Sequence, residues 1–229
     1  MANNTSSIFV IYSKVLDLLK RKPGLYNLYE IEYIKNMILS SSDHEMFYDE
    51  GIREIFDELG LLPDNENIYL AFLDYIKSKC DIEDKHIIEV GGGIFPRLAK
   101  RISLEQKSGT ITVYDPRLDP EEKSTDRLIL KKEKFDNDTK IGNTDLLIGL
   151  MPCKGAEYIV NQAMWHDRDF IIWLCEGGLH GDFFDYFEDE DEWRDSLINY
   201  ANRQLEDKGK KIKIKKMEEF SPYPIISNI

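Results

Sequence analysis

Cysteine is scarce in this chain: Cys80, Cys153 and Cys175 are the only three in 229 residues, and no two lie close together in sequence. An odd, widely spaced set argues against a disulfide scaffold and for a reducing, cytoplasmic setting, and no CxxC knuckle points to structural zinc. Long apolar runs are missing as well. The opening residues Met1 to Ser7 lack a basic region, and the apolar pattern behind them is broken by Ser13, Lys14 and Asp17. Neither a signal peptide nor a membrane span is expected. Positive charge is also short, with 30 basic residues against 43 acidic ones and a formal net charge of -13. That balance disfavours unaided binding to a nucleic-acid backbone or an anionic membrane. Internal repeats and low-complexity linkers are absent.

What is present falls into two patterns. From about Ser7 to Cys80 the apolar residues recur at helical spacing: Ile8, Ile11, Val15 and Leu18, then Leu28, Ile31, Ile34 and Ile38, then Phe47 to Leu59, then Tyr69, Phe72, Leu73 and Ile76. Residues 1–80 are therefore expected to form an N-terminal helical cap. From Asp84 the pattern changes to short β-branched runs alternating with helices, the mark of a parallel sheet built from βαβ units. Strands are expected at Ile87–Val90, Thr110–Asp115, Leu128–Phe135, Asp145–Leu150 and Phe170–Leu174, with a final pair at Lys211–Lys215 and Pro224–Ser227. Residues 81–229 thus read as one α/β domain. In the Lys211–Lys215 strand, lysine alternates with isoleucine, which predicts one buried and one solvated face and an edge guarded by charge. Phosphate binding by these lysines is the alternative.

The stretch that organises the domain is His86-Ile-Ile-Glu-Val-Gly91-Gly92-Gly93, a buried strand that stops on three glycines and restarts as a helix. Glycine allows a sharp turn and lets a ligand approach the backbone. Glu89 would put a carboxylate at the mouth of that cavity, favouring a ligand with a cation or several hydroxyl groups. Asp115 closes the second strand roughly 20 residues after the glycine turn, the offset of an acid that holds ribose hydroxyls. All these strand ends fall on the carboxyl edge of one sheet, where open α/β sheets bind ligands.

Two nucleoside cofactors use this geometry. A nicotinamide dinucleotide wants G-x-G-x-x-G, and Gly91 and Gly93 are followed by Pro96 where the third glycine belongs. S-adenosylmethionine carries no phosphate and has cationic sulfonium and amino groups, which suits Glu89. At these residues the chain resembles the class I S-adenosylmethionine-dependent methyltransferases. Their first motif, an acid, any residue, then Gly-x-Gly-x-Gly, is similar to Glu89-Val90-Gly91-Gly92-Gly93-Ile94-Phe95, with Phe95 in place of the last glycine. The resemblance implies a Rossmann-like methyltransferase fold, a mostly parallel seven-stranded sheet with helices on both faces. It implies S-adenosylmethionine held by Glu89, Gly91, Gly92 and Gly93, by Asp115 on the ribose, by Asp136 near adenine, and by Leu150 and Met151 beside the methyl group. The Asn/Asp-Pro-Pro-Tyr motif of amino methyltransferases is missing; Leu150-Met151-Pro152-Cys153 stands there.

The methyl acceptor is expected to be a small molecule, with a protein as the alternative, and no nucleic acid is expected. Candidate bases are Glu157, His166, Glu176 and His180, with Glu176 and His180 after the fifth strand the best placed. Cys153 and Cys175, with His180, could make a three-ligand metal site, but buried structural thiols are the expected reading, and no metal is expected. The run Asp182–Glu192 holds seven acids among four aromatics and reads either as a solvated helix start or as a lid. A non-catalytic member of the fold, acting in an assembly, is the alternative function, and a nicotinamide-dependent oxidoreductase the third.

Overall fold

A computed structural model describes residues 68–93, 96–120, 122–175, 190–218 and 220–229. The expected helices before residue 68, Phe95, Glu176, His180 and most of the acidic and aromatic run lie outside the described residues. The chain divides into two units, Met1–Tyr69 and Leu70–Ile229, and the second holds the sheet. In chain order the described elements are α1 (Ile68–Lys79), β1 (His86–Val90), α2 (Arg97–Glu105), β2 (Thr110–Tyr114), β3 (Leu128–Lys131), β4 (Leu146–Leu150), α3 (Gly155–His166), β5 (Asp169–Trp173), α4 (Glu190–Glu206), β6 (Lys213–Met217) and β7 (Ser221–Ser227). None of the described helices is long and apolar enough to cross a membrane.

The strands form one seven-stranded sheet in the order β3-β2-β1-β4-β5-β7-β6. β1 to β5 are parallel, and β7 runs antiparallel between β5 and β6. This is the mostly parallel α/β sheet that the β-branched runs predict. Strand order reverses at β1, which pairs β2 on one side and β4 on the other. That switch point opens a crevice at the carboxyl ends of the two strands.

Period-two alternation sorts side chains onto two faces. On β5, Phe170 and Ile172 join the cluster formed by Ile159 and Val160 of α3 and by Trp193 and Leu197 of α4. Trp173 points to the other face, where its ring meets Phe72 of α1 at 5.8 Å. Phe72, Phe170, Trp173 and Trp193 are all fully buried, and each contributes about 1.5–3 kcal/mol by leaving water.

Two strands depart from the sequence reading. The third ends at Lys131 instead of Phe135, because the Glu133 amide turns back to the Lys131 carbonyl at 2.8 Å. Phe135 instead packs edge-on against Tyr114 at 5.4 Å. The expected buried face of the lysine strand is also corrected: Ile214 is 55% exposed, and Lys213, Lys215 and Lys216 are exposed too. β6 is the outermost strand and pairs only with β7 among the described residues, so both its faces meet solvent, whereas Ile212, just before it, is the buried residue.

Candidate functional site

The glycine turn is shaped by contacts beneath it. Gly91 has φ +79°, and a Cβ there would stand 3.1 Å from the Pro152 Cα. Its amide donates to the Tyr114 carbonyl at 2.9 Å, tying the turn to β2. At Gly92 a Cβ would come within 2.5 Å of the Val113 Cγ1, a β-branched side chain buried in β2 with little rotamer freedom. Gly92→Ala is therefore expected to lower stability by about 1–3 kcal/mol, the usual range for overpacking. Thermal unfolding checks this, and a melting point equal to the wild type would show that the turn shifts without resistance.

Glu89 does not reach the crevice. β1 alternates, so Ile88 and Val90 enter the α3 side while Glu89 faces α2, where its carboxyl accepts the Ala99 amide. It is 2% exposed, and among the described residues its Oε2 has no hydrogen-bond partner. Burial pushes its pKa up from 4.5 to about 8; the Ala99 hydrogen bond opposes this and the nearby charge of Asp115 adds to it. Glu89 is thus mainly protonated at neutral pH, and the carboxylate expected at the cavity mouth is a neutral group under the turn.

The cavity lies at the switch point and has a volume of about 320 Å³. Its lining comes from the ends of four strands: Val90 and Gly91 after β1, Tyr114 to Arg117 after β2, Lys134 and Phe135 after β3, and Met151 to Gly155 with Tyr158 after β4. Gly91, Asp115 and Met151 of the expected cofactor residues are among them. Glu89, Gly92, Gly93, Asp136 and Leu150 are not, although the Gly93 amide donates to Asp115 at 2.8 Å and so holds the cavity's acid in place.

Asp115 is the centre of the polar contacts. Its carboxylate is 2% exposed and also accepts from the Arg117 amide at 2.7 Å and from the Arg117 guanidinium at 3.2 Å and 3.1 Å. A short loop rich in donors thus points a buried acid at the cavity. Asp136 is spent locally: it accepts from the Asp138 amide at 3.0 Å and the Thr139 hydroxyl at 2.9 Å, closing its own turn. Gln162 of α3, fully buried, donates to three carbonyls of that turn, those of Asp136, Asn137 and Thr139. The turn's position brings Lys134 and Phe135 to the cavity instead. Lys134 lies over the Tyr158 ring at 5.2 Å and 3.3 Å from its hydroxyl.

No family model matches the sequence, and no curated protein does. Solved structures do. The chain is similar to human N-acetylserotonin methyltransferase in complex with S-adenosylmethionine, at 15% identity over 95% of this chain and 65% of that one, with a TM-score of 0.44. It is similar to magnesium protoporphyrin IX methyltransferase from Synechocystis PCC 6803 with bound S-adenosylhomocysteine, at 12% identity over 80% and 95% and a TM-score of 0.46. A third is Aeropyrum pernix fibrillarin with natively bound S-adenosylmethionine, at 13% identity over 66% and 69% and a TM-score of 0.42. The chain spans just under two thirds of the length of the human protein.

The remaining candidates separate clearly. Glu157 is buried and accepts the Trp193 indole N–H at 2.7 Å, which ties α3 to α4 rather than facing the cavity. His166 ends α3, a 12-residue helix whose first residue lines the cavity. Tyr158, eight residues earlier on the helix, also lines the cavity, so at 1.5 Å per residue His166 lies about 12 Å along the axis from it. Cys153 and Cys175 do meet, at 3.5 Å between sulfur atoms. No group of three metal-ligating side chains occurs among the described residues. Sequence reasoning does not single out Arg117, Lys134, Phe135 or Tyr158 as site residues. Arg117 is two residues from an acid that it does mark, and that closeness is the one available signal; the Lys134 and Tyr158 contact spans 24 residues and leaves no local pattern.

Proposed function

We propose that this protein is an S-adenosylmethionine-dependent methyltransferase acting on a small molecule. One observation carries the reading: the Asp115 carboxylate and the side-chain-free backbone of Gly91 face a single cavity at the switch point of the sheet. A buried acid that accepts several hydrogen bonds has the chemistry to accept those of a ribose diol. Gly91, lacking a Cβ, gives the methionine portion access to the main chain. Tyr114, Phe135 and Tyr158 offer flat apolar surfaces for adenine, and Met151, which lines the same cavity, would stand beside the methyl group, as the resemblance implies. When bound, S-adenosylmethionine supplies an electrophilic methyl group on a sulfonium.

The chain's own contribution is to bind, orient and exclude water, which supplies much of the acceleration of a displacement between two held reactants. A base is needed only where the acceptor carries a proton, and Glu176 or His180, after β5, would serve.

The test is calorimetric titration of the full chain with S-adenosylmethionine, S-adenosylhomocysteine and NAD. The expected result is a dissociation constant below ~100 µM for the first two, in the range of ordinary enzyme ligands, and no heat from NAD. Binding of neither sulfur ligand would overturn the reading in favour of a non-catalytic member of the fold, and binding of NAD alone would point to an oxidoreductase.

A further inference from the structure

The same crevice holds a second chemistry that methyl transfer does not use. β4 and β5 are parallel neighbours with Leu150 opposite Trp173. Cys153 follows the first by three residues and Cys175 the second by two, so the two thiols meet at the carboxyl edge of the sheet. Their sulfur atoms are 3.5 Å apart, the Cys175 thiol donating to Cys153. Their surroundings differ. Cys153 is exposed and lines the cavity, whereas Cys175 is 9% exposed at the inner end of β5. A pair kept together merely as buried apolar groups would have both members covered.

The backbones differ as well. Met151 and Cys153 both have left-handed φ, 50° and 48°, on either side of Pro152. Non-glycine residues adopt that region at a cost, and such strain gathers where a segment has two arrangements. Cys175 instead follows β5 through Leu174, whose amide is held by the Pro224 carbonyl at 3.0 Å. One thiol is therefore exposed on a turn of left-handed residues whose Met151 amide is tied to the Trp173 carbonyl at 2.8 Å, and the other is covered just past the end of β5.

We propose that Cys153 and Cys175 form a reversible dithiol–disulfide site that controls the cavity, with a hydroperoxide as the oxidant. The exposed Cys153 thiolate attacks the outer oxygen of the peroxide, the O–O bond breaks, and a sulfenic acid forms with release of water, or of an alcohol from an organic peroxide. The Cys175 sulfur then attacks the Cys153 sulfur, the S–O bond breaks, and a second water leaves as the disulfide forms. Two electrons pass from the thiols to the peroxide, and a dithiol reductant reverses the step by exchange. A disulfide of about 2.05 Å requires the sulfurs to approach by roughly 1.5 Å. The Met151–Cys153 turn makes that movement and carries Met151, Pro152 and Lys154, which line the cavity. The control of the cavity rests on the methyltransferase reading; the disulfide does not.

The experiment treats the reduced full chain with a small excess of hydrogen peroxide and reads intact mass, thiols titrated under denaturing conditions and affinity for S-adenosylhomocysteine. The expected result is loss of the mass of two hydrogen atoms, with the thiol count falling from three to one and Cys80 still alkylated in the peptide map. Cys153→Ser and Cys175→Ser each abolish the mass loss, Cys80→Ser does not, and dithiothreitol restores all three thiols. Affinity of the oxidised protein is expected to fall at least about tenfold, about 1.4 kcal/mol in binding free energy. Oxygen addition without hydrogen loss, or abolition by Cys80→Ser, would overturn the pair. A disulfide that leaves affinity unchanged would overturn the control. Reduced protein that binds no S-adenosylhomocysteine would overturn the methyltransferase reading and the control that rests on it, while the mass measurement still decides the dithiol.

Discussion

Glu89→Gln is expected to remove a fall in stability that the wild-type protein suffers between about pH 4.5 and pH 8. Glu89 has its pKa raised from 4.5 to about 8 by burial under the glycine turn, so the folded chain binds its proton more tightly than the unfolded chain. The sign follows from linkage: the contribution is fully present below pH 4.5, declines as pH rises toward about 8, and is gone above it. At 1.36 kcal/mol for each pKa unit, the whole decline is roughly 5 kcal/mol, a large part of the stability of an ordinary domain. Glutamine keeps the size of the side chain and a carbonyl for the Ala99 amide, and it carries no proton to lose. The difference between the two unfolding curves isolates this one group from the rest of a strongly acidic chain, because distant titrating residues contribute equally to both. Urea unfolding of the full chain at pH 5 and pH 9 measures it. The variant should be close to the wild type at the lower pH and more stable by several kcal/mol at the higher. Equal curves at both values would place the Glu89 proton in contact with water and rule out a carboxyl sealed beneath the glycine turn.

The same residue marks where the sequence stops being legible. Ile87, Ile88 and Val90 announce a covered parallel strand, and the stop at Gly91 announces a turn at a ligand-binding edge; both are physical consequences of residue type and need no partner. The direction of Glu89 is legible in the same parity that sorts Ile88 from it, since alternate residues on a strand face opposite ways. Its proximity to three glycines draws attention to the cavity and away from α2. Asp136 repeats the lesson at shorter range. An acid after a strand looks available for a ligand until the Asp138 amide and the Thr139 hydroxyl, two and three residues on, are counted as nearer partners. Lys134 and Tyr158 come together across a turn that Gln162 pins to α3, a tertiary fact with no local trace. The lysine strand is legible as an edge but not in its exposure, because alternation predicts a buried face only where something lies over the sheet to cover it.

Arg117 decides how the proposed ribose site works, and its removal is expected to act in the direction opposite to changing Asp115. The Asp115 carboxylate holds the Gly93 and Arg117 amides, which belong to the loop itself, and the Arg117 guanidinium, whose side chain is 68% exposed. A ribose diol donates to the same two oxygens, and the guanidinium is the donor that can leave, since it sits on a long exposed side chain while the amides are fixed by the turn. Arg117→Ala is therefore expected to tighten S-adenosylhomocysteine binding by a few-fold: with the arginine end of the pair open to solvent, its contribution is on the order of 1 kcal/mol, and that is the cost of displacement the ligand no longer meets in the variant. Asp115→Asn keeps an oxygen for the Gly93 amide but replaces the charged acceptor with one oxygen and one donor. The charged hydrogen bonds it removes are worth about 1.5–3 kcal/mol, so affinity should fall between about tenfold and one hundredfold, and the melting temperature should also fall because the new amide nitrogen faces the Arg117 amide. Titration of the three proteins side by side gives the answer in the signs. If Arg117→Ala weakens binding as Asp115→Asn does, the guanidinium is itself a ligand contact and the ligand carries an anion there; if Asp115→Asn leaves affinity intact, the acid serves the Gly93 turn alone and the cofactor is held elsewhere.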